Sequence, residues 1–217
     1  MGRALIGGLL RGGWRAEQLS VAESQPAARE ALARDFGISA AGATAAAVAG
    51  APIVVLAVKP QDAAAVLQPL GAALAAGRSL LISVAAGVRC AALESWCGAG
   101  VPVMRAMPNR PARVGAAATG LFAAPAVSHG QRVAAERVLQ AVGEVFWVPT
   151  EELLDVVTAL SGSGRRTSSC SLSSWPRRAP SSASRGPWRN GSRPQRSTAR
   201  GCSRAVATSI SRDCARK

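Results

Sequence analysis

The chain has 217 residues, enough for one or two domains, and 48% of them are hydrophobic, which suffices for a buried core. Its formal net charge of +14, taken alone, favours a nucleic-acid-binding protein. The charge is unevenly distributed, because residues 165–217 hold 13 of the 26 basic residues and only one acid, Asp213. We therefore expect two parts, a nearly neutral globular part up to residue 164 and a basic tail.

Cysteine usage and hydropathy narrow the class of protein. The five cysteines have neither the spacing of a zinc site nor that of a disulfide framework, so we expect no metal. No apolar run reaches the roughly 18 residues of a membrane span. The short apolar stretch at the N-terminus meets glycine and charge too early for a signal peptide. A protein of the reducing cytoplasm, without a membrane partner, fits these features.

Helix and strand patterns alternate along the first 150 residues. Helices are predicted at 3–12, 25–35, 61–75, 90–97 and 128–141, with another opening near Glu151. Strands are predicted at 19–23, 53–58, 79–85, 101–107 and 144–148. The alternation predicts an α/β fold, a Rossmann-like doubly wound parallel sheet that binds ligands at the carboxyl ends of its strands.

The start of the chain departs from that architecture. A doubly wound sheet begins on a strand, which a glycine-rich phosphate loop joins to the first helix, whereas this chain begins on a helix. We therefore expect the sheet to lack its first strand and to expose its neighbour as an unpaired edge. We also expect the basic tail to be disordered, because its 13 serines and 12 arginines leave little apolar surface to bury.

Two strand ends have residues suited to a flat ligand. In LAVKPQ (56–61), Pro60 stops the strand and leaves the preceding backbone free to approach a dinucleotide. An ordinary strand-to-helix turn with a solvated lysine explains the same pattern. In SVAAGV (83–88), small residues allow a ring to lie close to the backbone, or equally allow tight helix–strand packing.

Two further segments follow the same logic. In RAMPNRP (105–111), the Asn109 amide lies in a rigid turn, where it would bind a ligand or cap the local backbone. In DVVTALSGSG (155–164), a helix with Asp155 and Thr158 breaks into a Ser/Gly turn, which by itself is only a helix end.

Taken in order, LAVKPQ, S-x-AAG, R-x-MPN-x-P, AVGEVFWV and D-x-x-TALSGSG make residues 2–164 resemble pyrroline-5-carboxylate reductase. The resemblance implies reduction of 1-pyrroline-5-carboxylate to L-proline, the last step of proline biosynthesis, with NADPH or NADH as cofactor. The cofactor supplies the hydride, and protonation of the imine nitrogen makes its carbon electrophilic. The resemblance assigns no catalytic side chain. It implies a homo-oligomer assembled through a second, helical domain.

The resemblance also implies site residues and domain boundaries. The implied cofactor contacts are Gly2, Glu23, Thr44, Ala57, Val58, Lys59, Pro60, Ala85, Ala86, Gly87, Met107, Pro108 and Asn109. The implied substrate-side residues are Ser161, Gly162 and Ser163. Residues 1–150 would form the NAD(P)-binding domain, 151–164 the start of the helical dimerisation and substrate domain, and 165–217 the tail.

Three departures from the family bear on activity. Its phosphate loop reads G-x-G-N-M-G, of which Met1-Gly2 match only the last two letters, so we expect a start-truncated chain of impaired or no activity. Thr44 stands where the family often has asparagine. Glu23 ends the strand at 19–23, which corresponds to the second strand of the family's fold. An acid at this position favours the unphosphorylated ribose of NADH. The alternative is that Glu23 is simply a solvated strand end.

The tail has two interpretations. A serine codon of the form TCN contributes its first two bases to a codon ending in TC when the reading frame shifts by one base. Codons ending in TC encode Phe, Leu, Ile or Val. A gene segment for a hydrophobic helix, read in the wrong frame, would therefore give a run of Ser and Arg. We hypothesise that residues 165–217 are such a translation, and reading the gene across the Gly164 codon tests it. Alternatively, the arginines with Trp175 and Trp188 form a non-specific nucleic-acid-binding segment. No specific nucleic acid is expected.

Overall fold

A computed structural model of the protein describes residues 1–42 and 44–162 and the strand Val206–Ile210. The strands in this part of the chain are β1 (Leu19–Glu23), β2 (Ala40–Ala41), β3 (Ile53–Leu56), β4 (Leu80–Ser83), β5 (Val103–Pro108), β6 (Ala117–Ala123), β7 (Gly143–Trp147) and β8 (Val206–Ile210). They form one sheet in the order β2-β1-β8-β3-β4-β5-β6-β7.

The helices cover both faces of that sheet. They are α1 (Gly2–Arg11), α2 (Pro26–Phe36), α3 (Thr44–Val48), α4 (Ala63–Leu67), α5 (Gly71–Gly77), α6 (Cys90–Cys97), α7 (His129–Gln140) and α8 (Leu153–Gly162). Short 3-10 turns lie at Ala16–Gln18, Pro60–Asp62, Gln68–Leu70 and Arg110–Val114. Among the described residues, no helix has the length and apolar character to cross a bilayer.

The predicted alternation of strands and helices and the doubly wound, mainly parallel sheet are confirmed, and two strands add antiparallel pairs. β3, β4 and β5 pair in parallel, as do β1 with β2 and β6 with β7. β6 runs antiparallel to β5, and β8 runs antiparallel to both β1 and β3. The sheet is therefore mixed around a parallel centre.

The core consists of two apolar layers, one on each face of the central strands. On one face, Leu5, Ile6 and Leu9 of α1 pack with Val55 and Ile82. On the other, leucines of α4, α6 and the intervening segments pack with Val54, Leu56 and Leu81. Every residue of β3 is buried, as the apolar run predicts for a strand covered on both sides. This three-layer arrangement is the expected doubly wound architecture.

Local sequence signals account for several helix ends. Ser128 forms a capping box with Gln131 at the start of α7: its hydroxyl accepts the Gln131 N–H, and the Gln131 side chain accepts the Ser128 N–H. At the end of α2, Gly37 adopts the left-handed conformation that glycine favours. The helix predicted at 61–75 is instead divided into α4 and α5, because Pro69 removes a backbone donor between them.

The tail gives a second correction. The expectation of disorder is wrong for residues 206–210, which form β8 inside the sheet. The expected unpaired edge next to β1 is also wrong, because β8 lies between β1 and β3 and pairs with both. Residues 163–205 and 211–217 lie outside the described part, and so do the predictions that concern them.

Gly143 sets how closely β7 approaches β6. A Cβ added there would lie 2.2 Å from the carbonyl oxygen and 2.3 Å from the nitrogen of Ala117, at a φ of +145°. We predict that Gly143→Ala lowers the free energy of unfolding by at least about 2 kcal/mol, because the strand pair must separate to make room. Chemical denaturation measures the difference.

Gly130 on α7 supplies the matched control, because a Cβ added there meets nothing within 4 Å. We expect Gly130→Ala to leave stability unchanged or to raise it by up to ~1 kcal/mol, since alanine favours helix. Equal losses from the two substitutions would contradict the assigned role of Gly143.

Candidate functional site

An apolar crevice lies where the carboxyl ends of the central strands meet the N-terminus of α1. It encloses about 240 Å³, part of it open to solvent. Its lining residues are Met1, Gly2, Leu5, Val55, Ala57, Val84, Pro108, Leu139 and Val142. Three of the residues predicted from the sequence, Gly2, Ala57 and Pro108, are thus brought together in one crevice.

The turn after β3 places four predicted residues in different surroundings. Ala57 is half-buried and lines the crevice, whereas Val58 is buried in the second core layer. Lys59 has extended backbone dihedrals and precedes Pro60, which opens the 3-10 turn Pro60–Asp62. Only the first of the four therefore faces the crevice with its side chain, and the others shape the turn.

The turn after β4 is compact. Ala85 is buried, and its N–H donates to the Ser83 hydroxyl over 3.3 Å. Ala86 is half-buried, and Gly87 is exposed with a φ of +75°, in the left-handed region that favours glycine. The neighbouring Val84 lines the crevice. These small residues leave the strand end open to a close approach.

The turn after β5 contains the predicted Met107, Pro108 and Asn109. Pro108 is buried at the end of the strand and lines the crevice, while Met107 is half-buried. The Asn109 side-chain oxygen accepts the N–H of Ala118 over 3.1 Å, at the start of β6. In the structure, the Asn109 amide therefore caps the local backbone, as one of the two interpretations predicted. Ligand binding by Asn109 stays a prediction.

Glu23 and Thr44 mark the neighbouring part of the carboxyl edge. Glu23 is 2% exposed at the end of β1, and its carboxylate accepts the Gln25 N–H over 2.9 Å. Burial raises the pKa of this carboxyl. The alternative of a solvated strand end is thus wrong for Glu23. The Arg29 guanidinium donates to the carbonyl oxygens of Glu23 and Ser24. Thr44 opens α3, and its side chain lies outside the described structure.

A buried ion pair beside the β5 turn escaped the sequence analysis. The side chain of Arg105 is 4% exposed, and its Nη1 lies 2.8 Å from Oε1 of Glu151. The same carboxylate oxygen accepts the backbone N–H of Cys90, at the start of α6, over 2.7 Å. Asp155 lies 3.8 Å from the other Arg105 nitrogen. These contacts hold the start of α8 against β5 and α6.

One feature of the sequence indicates this ion pair: a single arginine, Arg105, within the apolar strand VPVMRAM. A guanidinium inside a buried strand needs a charged or hydrogen-bonded partner. Which carboxylate supplies it depends on how α8 packs on β5 and β6, and the sequence pattern does not contain that packing.

Cys90 lies beside this ion pair and is not a nucleophile. Burial and the neighbouring Glu151 carboxylate raise the pKa of its thiol to about 12. At neutral pH the sulfur is therefore protonated, whereas nucleophilic attack and metal binding both need the thiolate. Within the described ranges, no group of three or more His, Cys, Asp or Glu side chains is placed to hold a metal ion.

The predicted substrate-side residues lie at the end of α8. The Ser161 hydroxyl donates to the Val157 carbonyl over 2.7 Å, so it is bonded within its own helix. Gly162 is the last residue of α8, and Ser163 lies outside the described structure. The helix packs on β6, where Gly120 faces Leu154 and Val157. The lining of the crevice includes neither Ser161 nor Gly162.

Comparisons with known proteins identify relatives of this chain. Residues 1–87 match the family model described as NADP oxidoreductase coenzyme F420-dependent. Pyrroline-5-carboxylate reductase of Pseudomonas aeruginosa is 44% identical over 164 residues, covering 76% of this chain and 60% of the relative. That of Mycobacterium tuberculosis is 42% identical over 169 residues, covering 76% and 57%. Over about three quarters of its length the chain is thus similar to pyrroline-5-carboxylate reductases.

Solved structures of pyrroline-5-carboxylate reductases superpose on the same part of the chain. The Coxiella burnetii protein matches with a TM-score of 0.73 and 35% identity, covering 76% of this chain and 61% of that one. The Plasmodium falciparum protein, solved with NADP bound, matches in fold with a TM-score of 0.67 and 24% identity, covering 76% and 60%. The chain thus spans about 60% of the length of the relatives it matches.

The buried ion pair gives a testable contrast between two arginines of the same cluster. We predict that Arg105→Met lowers the free energy of unfolding by about 3 kcal/mol, because Glu151 then keeps a largely buried charge without its partner. Arg89 is the matched control: it is 45% exposed and pairs with the exposed Glu152 and Asp155. Arg89→Met should lower the free energy of unfolding by less than about 1 kcal/mol.

Denaturant titration of the two variants and the parent chain measures this contrast. Restoring part of the loss by adding Glu151→Gln to Arg105→Met would support the stated cause, since the second change removes the stranded charge. Similar losses from Arg105→Met and Arg89→Met would show that burial of the pair does not anchor α8.

Proposed function

We propose that this chain is the dinucleotide-binding part of a pyrroline-5-carboxylate reductase, which reduces 1-pyrroline-5-carboxylate to L-proline with NADPH or NADH. The observation that carries the proposal is the convergence of three strand ends and the α1 N-terminus on one apolar crevice. A crevice at this edge is where doubly wound folds bind dinucleotides. The relatives that match this part of the chain bear that enzyme's name.

The crevice marks the place where one ring of the cofactor would lie against the strand ends. Ala57, Val84 and Pro108 offer apolar contact without large side chains, which suits a flat nicotinamide. The turns Ala57–Pro60, Ala85–Gly87 and Met107–Asn109 would hold this part of the cofactor.

The remaining cofactor groups have partners along the same edge. Gly2 begins α1 beside the crevice, and the positive end of a helix favours the pyrophosphate. Glu23 would accept a hydrogen bond from a ribose hydroxyl, as acids at this strand end do in doubly wound folds. Thr44 would contribute a hydroxyl nearby. When bound, the cofactor supplies the hydride.

The protein's own contribution would be orientation and exclusion of water. Reduction of a protonated imine needs no strong protein nucleophile, which agrees with the neutral Cys90 thiol near the turns. The apolar lining would keep water away from the face of the ring that it contacts. Substrate would lie on the side of Ser161, Gly162 and Ser163, where α8 leads into a second domain.

The domain boundaries proposed from the sequence follow the same division. Residues 1–150 would bind the dinucleotide, and 151–164 would open a helical domain that completes the substrate pocket and assembles copies of the protein. The exposed apolar side chains of Val156 and Leu160 on α8 support a helix that packs against such a domain. The buried free thiols Cys90 and Cys97 favour a reducing compartment, the cytoplasm.

Cofactor binding tests the proposal. We predict that the full chain binds NADPH or NADH, followed by fluorescence of the reduced nicotinamide, and that Ala57→Met weakens binding by at least about tenfold, or about 1.4 kcal/mol. The larger side chain would occupy the crevice. Ala75→Met is the control, because Ala75 is exposed on α5, away from the crevice lining.

The same samples test turnover. We expect no proline from the imine with this chain alone, because it covers only about 60% of the length of its relatives. Binding that Ala57→Met leaves unchanged would refute the assigned crevice. Proline formation at the rate of a full-length relative would refute the expected loss of activity while supporting the reductase.

A further inference from the structure

The sheet position between β1 and β3 is occupied by the distant segment Val206–Ile210. β8 pairs with all five residues of β1, from Leu19 opposite Ile210 to Glu23 opposite Val206. On its other side it pairs with all four residues of β3. Among the described strands, β8 is the only one that joins the β1–β2 pair to the rest of the sheet.

Both neighbours need a partner at this position. β3 is buried along its whole length, and four of the five residues of β1 are buried. A strand so enclosed has its backbone N–H and C=O groups cut off from water, so an unpaired edge would be strongly unfavourable. α1 and α3 pack against β8 from the helical layers. The position therefore accepts only an extended segment.

β-Branched and small residues alternate along β8. Positions 206, 208 and 210 have the β-branched residues Val, Thr and Ile; 208 pairs with Val21 and Val55, 210 with Leu19 and Ile53, and 206 with Glu23. Positions 207 and 209 have the small residues Ala and Ser, and 207 pairs with Ala22, which packs against Ala47 of α3.

Residues 206–210 differ in charge from the rest of the tail. Residues 165–217 hold 13 basic residues, yet VATSI has none and is flanked by Arg204 and Arg212. A charged residue in the position between β1 and β3 would lose its hydration without a partner. The segment thus combines what the position requires: five extended residues, no charge, and β-branched residues alternating with small ones.

We propose that the gap between β1 and β3 is a strand-acceptor site for uncharged extended peptides, which residues 206–210 of the same chain fill as an antiparallel donor strand. Because β1 ends at Glu23 and β3 leads to Ala57, the donor strand also fixes the distance between these two points of the carboxyl edge. The proposal does not rest on the reductase function.

Hydrogen exchange on the unmodified full chain is the first test. Amides of residues 206–210 should exchange at least about a hundredfold more slowly than in a free peptide of the same sequence, because both edges of the strand are paired. Exchange at the free-peptide rate would overturn the proposal. This measurement needs no variant to fold.

A proline variant is the second test. Thr208→Pro should lower the Tm by about 10 °C, because proline removes a ladder donor from an interior strand, and should speed exchange at Val21 and Val55. His129→Pro is the matched control and should change neither, because His129 is exposed at the first position of α7, where proline is tolerated. A Thr208→Pro chain as stable and protected as the His129→Pro chain would contradict the proposal.

Peptide rescue identifies the occupant. A synthetic peptide of residues 203–212 should restore the Tm of the Thr208→Pro chain, and a scrambled peptide of the same composition should not. Equal effects of both peptides would refute a specific acceptor site. A dimeric parent chain, in which each copy fills the gap of the other, would refute donation within one chain.

Discussion

Backbone groups in the interior of the sheet must be paired, and this requirement governs how the chain is organised. β3, β4 and β5 meet it among themselves through parallel pairing. On the side of β3 away from β4, residues 206–210, which are distant in the sequence, supply the pairing partners. The strands held in this way present their carboxyl ends at one edge, and the crevice forms there. The site thus depends on backbone pairing before it depends on any side chain.

Much of this organisation was predictable from sequence because it follows from periodicity. The apolar run at 53–58 indicates burial on both faces, and β3 is buried throughout. The Ser128 and Gln131 pair indicates a helix start, and α7 begins there. The resemblance to pyrroline-5-carboxylate reductase implied a shared cofactor edge for Gly2, Ala57 and Pro108, and these residues line one crevice.

What was not predictable depends on long-range packing. β6 (AATGLFA) has no clean alternation, and only its pairing with β5 and β7 makes it a strand. The VATSI segment has the β-branched alternation of a strand, but it lies in a tail whose composition indicates disorder. The segment forms a strand because β1 and β3 each offer it a buried edge with which to pair. Arg105 likewise has its partner, Glu151, 46 residues further along the chain.

The proposed cofactor site holds the nicotinamide ring between three turns and the α1 N-terminus. Hydrogen exchange of the full chain, with and without NADPH, tests this most directly. We expect slower exchange near Ala57, Val84 and Met107 when NADPH is present, with β7 and α5 unchanged. Slowing confined to other parts of the chain, or none at saturating NADPH, would contradict the assignment of the crevice.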